Sequence, residues 1–232
     1  GLISESHAGA ESLYPKRGYV LTTDFAPVGT IGSIAMMLVV HPSLPVKNVN
    51  EFLAYAKAQP NKLTYASGGS GNIYHLAAEL LSKDSGVSFS HIPYSAVGAG
   101  RTDVMSGQVN FMFDAVASIL PNVEAGRLRG LAVTTPNRLP NLPAVPTMGE
   151  SVPGYVFESW IGLVAPAATP AAVTARLHEA LESALRDKDI ETRFNALGAQ
   201  ALPESSGKFG ERIASGVKKW TEVIQKAGIK AE

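Results

Sequence analysis

The chain has 232 residues, 45% hydrophobic and 17% charged, with 20 basic side chains against 20 acidic ones. That length supports one large or two modest domains with real cores. Zero net charge removes the electrostatic footprint of a nucleic-acid binder, and no basic amphipathic helix suits a membrane surface. The absence of cysteine excludes disulfides, thiolate catalysis and Cys-ligated metals. The longest apolar run, Ile34 to Val40, is far too short to span a bilayer.

Leu2 and Ile3 have the pattern of a strand end with no element before it, so the sequence is expected to be a fragment without a signal peptide. Ser4 to Ile31 is weakly patterned and reads as loop-rich, with Ser4, Glu5, Ser6 and His7 placed to line a cleft. Ile34 to Val40 reads as a buried strand closed by His41-Pro42. Asn48-x-x-Glu51 has the form of a capping box for a helix with Val49, Phe52, Leu53 and Ala56 on its inner face.

Leu63 to Leu81 is the stretch around which the chain is organised. Leu63, Tyr65 and Ala66 suit a short strand, and Gly68, Gly69 and Gly71 allow backbone angles that a side chain forbids. Asn72 is a cap for a helix whose Ile73, Leu76, Ala77, Leu80 and Leu81 recur at amphipathic spacing. Such a junction aims unpaired N–H groups and a positive dipole end beyond the strand, a ready anion site. No Gly-Lys-Ser/Thr comes after it and no correctly spaced G-x-G-x-x-G is present, so a carboxylate suits it better than a nucleotide.

Further along, Val87 to Tyr94 reads as a strand and Ala96 to Ser106 as a helix. Val109 to Phe113 is a strand delivering Asp114 at its end, Ala115 to Ala125 a helix broken by Pro121, and Leu128 to Thr134 a strand. This alternation predicts βαβ units and mainly parallel sheets flanked by helices, with ligands beyond the carboxyl ends of the strands. Thr135 to Gly154, with five prolines, reads as a stiff crossing. Tyr155 to Val164 reads as a strand, followed by helices over Ala171 to Arg186, Ile190 to Leu197 and Ser206 to Ala227. Two crossings, near Ile31 to Met36 and Ser159 to Leu163, divide the chain into two lobes: residues 1–33 with 160–232, and residues 34–159.

The segments YASGGSGNIYHLAAELL, HIPYSAVGAGRTDVMSGQVNFMFDAVASILPNVEAGRLRGLAVTT, LPAVPTMGESVPGYVFESWIGLVAPAATP and IQKAGIKAE resemble the Bug proteins. These are periplasmic solute receptors of tripartite tricarboxylate transporters, and the resemblance covers essentially the whole chain. It implies a type II periplasmic-binding-protein-like α/β fold of two hinged lobes that close around an organic acid: a di- or tricarboxylate, an amino acid or an aromatic acid. It also implies membrane subunits as partners, a monomer that is not membrane-embedded, and no cofactor. Carried onto this chain, the ligand loop is Ser67, Gly69, Ser70, Gly71, Asn72, Ile73 and His75. Asp114 would face an amino or hydroxyl group of the ligand, and Ser6 and His7 fall in a loop of the other lobe. Two departures stand out. Asn72-Ile73-Tyr74 replaces the family's usual Ser or Thr after the last loop glycine, and this sequence lacks the family's opening strand, Pro-Gly-Gly loop and helix.

Two rivals are weaker. Ser67 or Ser70 with His75 and Asp114 can be imagined as a hydrolase constellation, but no nucleophile elbow G-x-S-x-G is present. A regulatory module is the other: a periplasmic sensor presenting a bound carboxylate to a signalling partner, or a LysR-type effector domain, although this sequence holds no helix-turn-helix segment. His7, His41, His75, His91 and His178 show no metal-ligand spacing.

Overall fold

The structure is a computed structural model describing residues 1–14, 16–196 and 199–229. In chain order it contains β1 (Leu2–Ser4), α1 (Glu5–Leu13), β2 (Phe25–Ile34), β3 (Met36–Val40), α2 (Val49–Lys57) and β4 (Thr64–Ser67). Next come α3 (Ile73–Ser85), β5 (Ser90–Pro93), α4 (Val97–Met105), β6 (Phe111–Ala115), α5 (Val116–Glu124) and β7 (Arg129–Val133). The last elements are β8 (Ser159–Pro166), α6 (Ala171–Leu185), α7 (Lys188–Ala196), β9 (Ala199–Ala201) and α8 (Ser206–Ala227). Two compact units result, Gly1–Ile34 with Ser159–Ala231, and Ala35–Glu158.

In the second unit the sheet order is β5-β4-β6-β3-β7. β4 is parallel to β5 and β6, while β3 is antiparallel to both β6 and β7, so β3 alone runs against the other four strands. It follows β2 directly across Ala35, although the two strands belong to different sheets. All five of its residues are buried, as a central strand covered on both faces demands. Met37 and Val39 face a core with Met112, Val116, Ile119 and Val133. The stretch after β7 does not leave this unit: Val133 N–H donates to the Pro146 carbonyl at 2.9 Å, and Leu139 packs into the same core.

In the first unit the order is β1-β8-β2-β9 and every pairing is antiparallel, which corrects the expectation of mainly parallel sheets there. After β8 the helices α6 and α7 lead to β9, which joins the edge of the sheet antiparallel to β2, so no parallel βαβ unit forms in this part of the chain. The expected loop from Ser4 to Ile31 is also corrected, since it holds α1 and most of the ten-residue β2. β2 carries Pro27, Gly29 and Gly32, which disguise it as a loop. Gly32 is needed because a Cβ there would lie 2.6 Å from the Gln200 carbonyl oxygen of the neighbouring strand. β8 begins only at Ser159, four residues later than expected from Tyr155. The expected end of the Ile190 helix at Leu197 lies outside the described residues.

The first unit closes where α8 meets the sheet. Phe209 is buried edge-on against Trp160, ring centroids 5.5 Å apart, and Trp220 donates from Nε1 to the buried carboxylate of Glu5. A Cβ on Gly162 would lie 2.1 Å from the Phe209 ring. Gly162→Ala is therefore expected to overpack this contact and cost about 1–3 kcal/mol in urea denaturation. An unchanged midpoint would show that Phe209 shifts without penalty.

Candidate functional site

The strand register aligns Ser67 with Pro93, and Ala66 with Met112. The ends of β4, β5 and β6 therefore share one edge of the second unit, where the starts of α3, α4 and α5 also lie. β4 leaves the sheet through Gly68–Gly71, with Gly69 at φ +105° and Gly71 at φ +77°, angles at which a side chain is strained. A Cβ on Gly68 would meet Val97 Cγ2 at 2.7 Å, so this turn is held tightly against the start of α4. Asn72 then caps α3 as expected, its Oδ1 accepting from the Tyr74 N–H at 2.9 Å. The Ile73 N–H, the first of the helix, has no acceptor among the described residues.

His75 lies below this turn and is almost fully buried. Its Nδ1 accepts the Gly71 N–H at 2.9 Å, which requires a ring without a proton on that nitrogen. The neutral ring therefore carries its proton on Nε2, 3.8 Å from Glu79 Oε1. The His75 ring stacks on His91 at 3.9 Å and 11°, and His91 stacks in turn on Tyr65 at 4.9 Å. His91 Nε2 lies 2.6 Å from Ser67 Oγ, and the Tyr65 hydroxyl donates to Glu79 at 2.6 Å. Burial, then the neighbouring His91, push the His75 pKa down to about 3. Burial raises Glu79, with the Tyr65 hydrogen bond pulling partly back. Burial and the Glu79 charge raise Tyr65.

Asp114 is fully buried near the end of β6. Arg101 of α4 donates from Nε to its Oδ2 at 2.7 Å, and the Ala115 N–H donates to its Oδ1 at 2.8 Å. Burial pushes its carboxyl up, while Arg101 and that N–H pull it back. Tyr74 joins the same cluster. Burial and the Asp114 charge raise its hydroxyl pKa, whereas Arg101 and a hydrogen bond with the Ala115 backbone lower it.

The structure thus brings Ser67, Gly69, Ser70, Gly71, Asn72, Ile73 and His75 together at one strand end, with Asp114 on the same edge. Within that group the roles divide. Ser67 and His75 support the turn from beneath, and the Gly71 N–H is committed to His75. The imagined hydrolase relay does not form, because Ser67 pairs with His91, His75 with Gly71, and Asp114 with Arg101. Ser6 and His7 lie in the first unit and in helix α1 rather than in the expected loop. His7 Nδ1 accepts the Ser4 N–H at 3.1 Å, closing the first turn. Arg101, Glu79 and His91 carry no signal of a role in the sequence. Arg101 stands in plain view thirteen residues before Asp114, but only the folded βαβ unit places the two side by side. Among the described residues, no group of three or more His, Asp or Glu side chains is placed to hold a metal ion, and no helix is long and apolar enough to cross a membrane.

Residues 1–229 match the profile of the tripartite tricarboxylate transporter family receptor. The chain belongs to this family. Among its relatives, BugT of Bordetella pertussis is 30% identical over 223 residues, which is 94% of this chain and 68% of BugT. A UPF0065 protein of the tcbD-tcbE intergenic region in Pseudomonas sp. strain P51 is 32% identical over 213 residues, 91% of this chain. The chain spans 63% of that Pseudomonas protein's length. Among solved structures, an R. palustris protein with adipate is 31% identical with a TM-score of 0.82, covering 99% of this chain and 77% of that one. The periplasmic binding protein BugD is 30% identical with a TM-score of 0.81, covering 100% and 78%. MatC from Rhodopseudomonas palustris with bound malate is 27% identical with a TM-score of 0.78, covering 96% and 78%. The fold of this receptor-family chain is the α/β periplasmic-binding-protein fold, built from one antiparallel and one mixed sheet.

The buried imidazole gives the chain an acid response. Unfolded, His75 titrates near 6.5; folded, near 3. Between those values the unfolded chain takes up the proton first. The His75 contribution is therefore complete above about pH 6.5 and declines as pH falls toward 3, by at most about 1.4 kcal/mol per pH unit. The raised carboxyls of Glu79 and Asp114 oppose that decline in the lower part of the window. Urea melts from pH 7 to 4 should show falling stability for the wild type and a flatter profile for His75→Gln. Parallel profiles would assign the acid sensitivity elsewhere.

Proposed function

We propose that this chain is a periplasmic receptor for a small organic carboxylate, serving the membrane subunits of a tripartite tricarboxylate transporter. Residues 1–33 with 160–232, and 34–159, act as its two lobes. The observation that carries this reading is the pair of similar structures holding diacids, adipate in one and malate in the other, across nearly the whole of this chain. The second-unit edge has matching chemistry. The Ile73 N–H is open, the positive end of α3 contributes on the order of 0.3–1 kcal/mol for a nearby anion, and Ser70 and Asn72 add polar groups beside it. In this reading Ser70, Asn72 and Ile73 touch the ligand, and Ser67, Gly69, Gly71 and His75 hold the turn that presents them. The receptor returns its ligand chemically unchanged.

The test is isothermal calorimetry on the intact chain with malate, adipate, citrate, aspartate and benzoate, and with dimethyl adipate as an uncharged control. Binding of one or more acids, no heat from the diester and recovery of intact ligand are the expected results. Folded protein that binds none of the acids would overturn the carboxylate reading.

A further inference from the structure

The edge that carries the glycine turn also carries a cation whose bonding is incomplete. Gly100 lets α4 lie directly on β4, since a Cβ there would come within 2.9 Å of the Ala66 Cβ. That close approach brings the next residue, Arg101, over the end of β6. Its Nε is spent on Asp114, while Nη1 and Nη2 have no acceptor among the described residues. The two partners are unequal in exposure: the Arg101 side chain is 24% exposed and that of Asp114 only 1%. Asp114 is satisfied within the chain, one oxygen taking Arg101 and the other the Ala115 N–H.

A guanidinium held through Nε alone keeps its terminal two-nitrogen edge, the geometry that receives a carboxylate on two parallel hydrogen bonds. The pair is neutral as a whole, but its positive half is the accessible one. Tyr74, in the first turn of α3, lies near the same pair through a hydrogen bond with the Ala115 backbone. Partly buried ion pairs add little net stability, whereas a fixed guanidinium orientation matters to a planar anion.

We propose that Arg101 contacts the ligand, receiving one carboxylate of a dicarboxylic acid on its Nη1–Nη2 edge, and that Asp114 is the positioning residue that holds the guanidinium. This rests on the carboxylate-receptor reading and replaces the expectation that Asp114 faces a ligand amino or hydroxyl group. The ligand class is thereby narrowed to acids with a second carboxylate, since the open start of α3 can serve the first.

The experiment compares adipate with its monomethyl ester by calorimetry on the intact chain. Three proteins are used: wild type, Arg101→Lys, and the double variant Arg101→Leu with Asp114→Asn, which leaves no unpaired buried carboxylate. Circular dichroism establishes folding for each. The wild type should prefer the diacid, and the double variant should bind adipate roughly ten- to a hundredfold more weakly with the ester little changed, the scale of one charge-assisted contact. Arg101→Lys, which keeps the charge but loses the fork, should fall between them. A folded variant with unchanged diacid preference would overturn the role of Arg101 while leaving the receptor reading intact. Equal losses for diacid and ester would also overturn it, by showing a structural role only. A folded wild type that binds neither acid nor any other carboxylate would remove both.

Discussion

The acceptance of the Gly71 N–H by His75 Nδ1 ties a backbone turn to a side chain in the core, and the rest of the second-unit edge depends on it. Gly71 stands at φ +77°, one residue before the cap of α3, so any loosening there would move Asn72 and the first N–H of the helix together. The ring is fixed from the other side by its stack on His91, which is itself held by Ser67. One sequence segment therefore supplies both the presented groups and their support: Ser70, Asn72 and Ile73 above, Ser67 and His75 below. Burial serves this arrangement by keeping the imidazole neutral, because a protonated ring cannot accept at Nδ1.

A buried carboxylate on the same edge creates an electrostatic problem for any anion that approaches it. Asp114 cannot be left unpaired in that position without a large desolvation cost. Arg101 meets both difficulties with one contact: Nε neutralises Asp114, and the positive half of the neutral pair is the more exposed one. The approach of α4 through Gly100, and of the glycine turn to Val97 through Gly68, shows that helix and turn are positioned against each other by missing side chains. Larger residues at either point would separate the cation from the helix start.

Much of this is legible in the sequence where local chemistry and fold agree. Asn72 is the cap that its position implies, and the glycine turn, α3 and the placement of Asp114 on β6 come from spacing alone. β2 is hidden because its glycines and proline answer to neighbours rather than to strand propensity; Gly32 is small on account of Gln200, some 168 positions away in the chain. α1 is hidden because His7 takes the place at the third helical position where Glu or Gln is usual in a capping box. The bonding of Arg101 and His75 is out of reach for another reason. Each depends on which atom of a side chain faces which partner, and periodicity carries no such information.

The two histidines near helix starts make the distinction concrete. His7 and His75 both accept a backbone N–H at Nδ1, from Ser4 and from Gly71 respectively. At α1 that acceptance closes the helix start upon itself, with Ser4 both capping and being capped. At α3 the acceptor is spent one residue before the cap, and the first helical N–H, that of Ile73, has no acceptor among the described residues. Similar local chemistry thus ties down the cap residue itself in α1 and the glycine turn ahead of the cap in α3. The difference comes from register: the histidine stands three residues after its donor in α1 and four in α3. That offset fixes the glycine turn to the core, and the anion site proposed at the end of β4 depends on it together with the cation on the neighbouring helix.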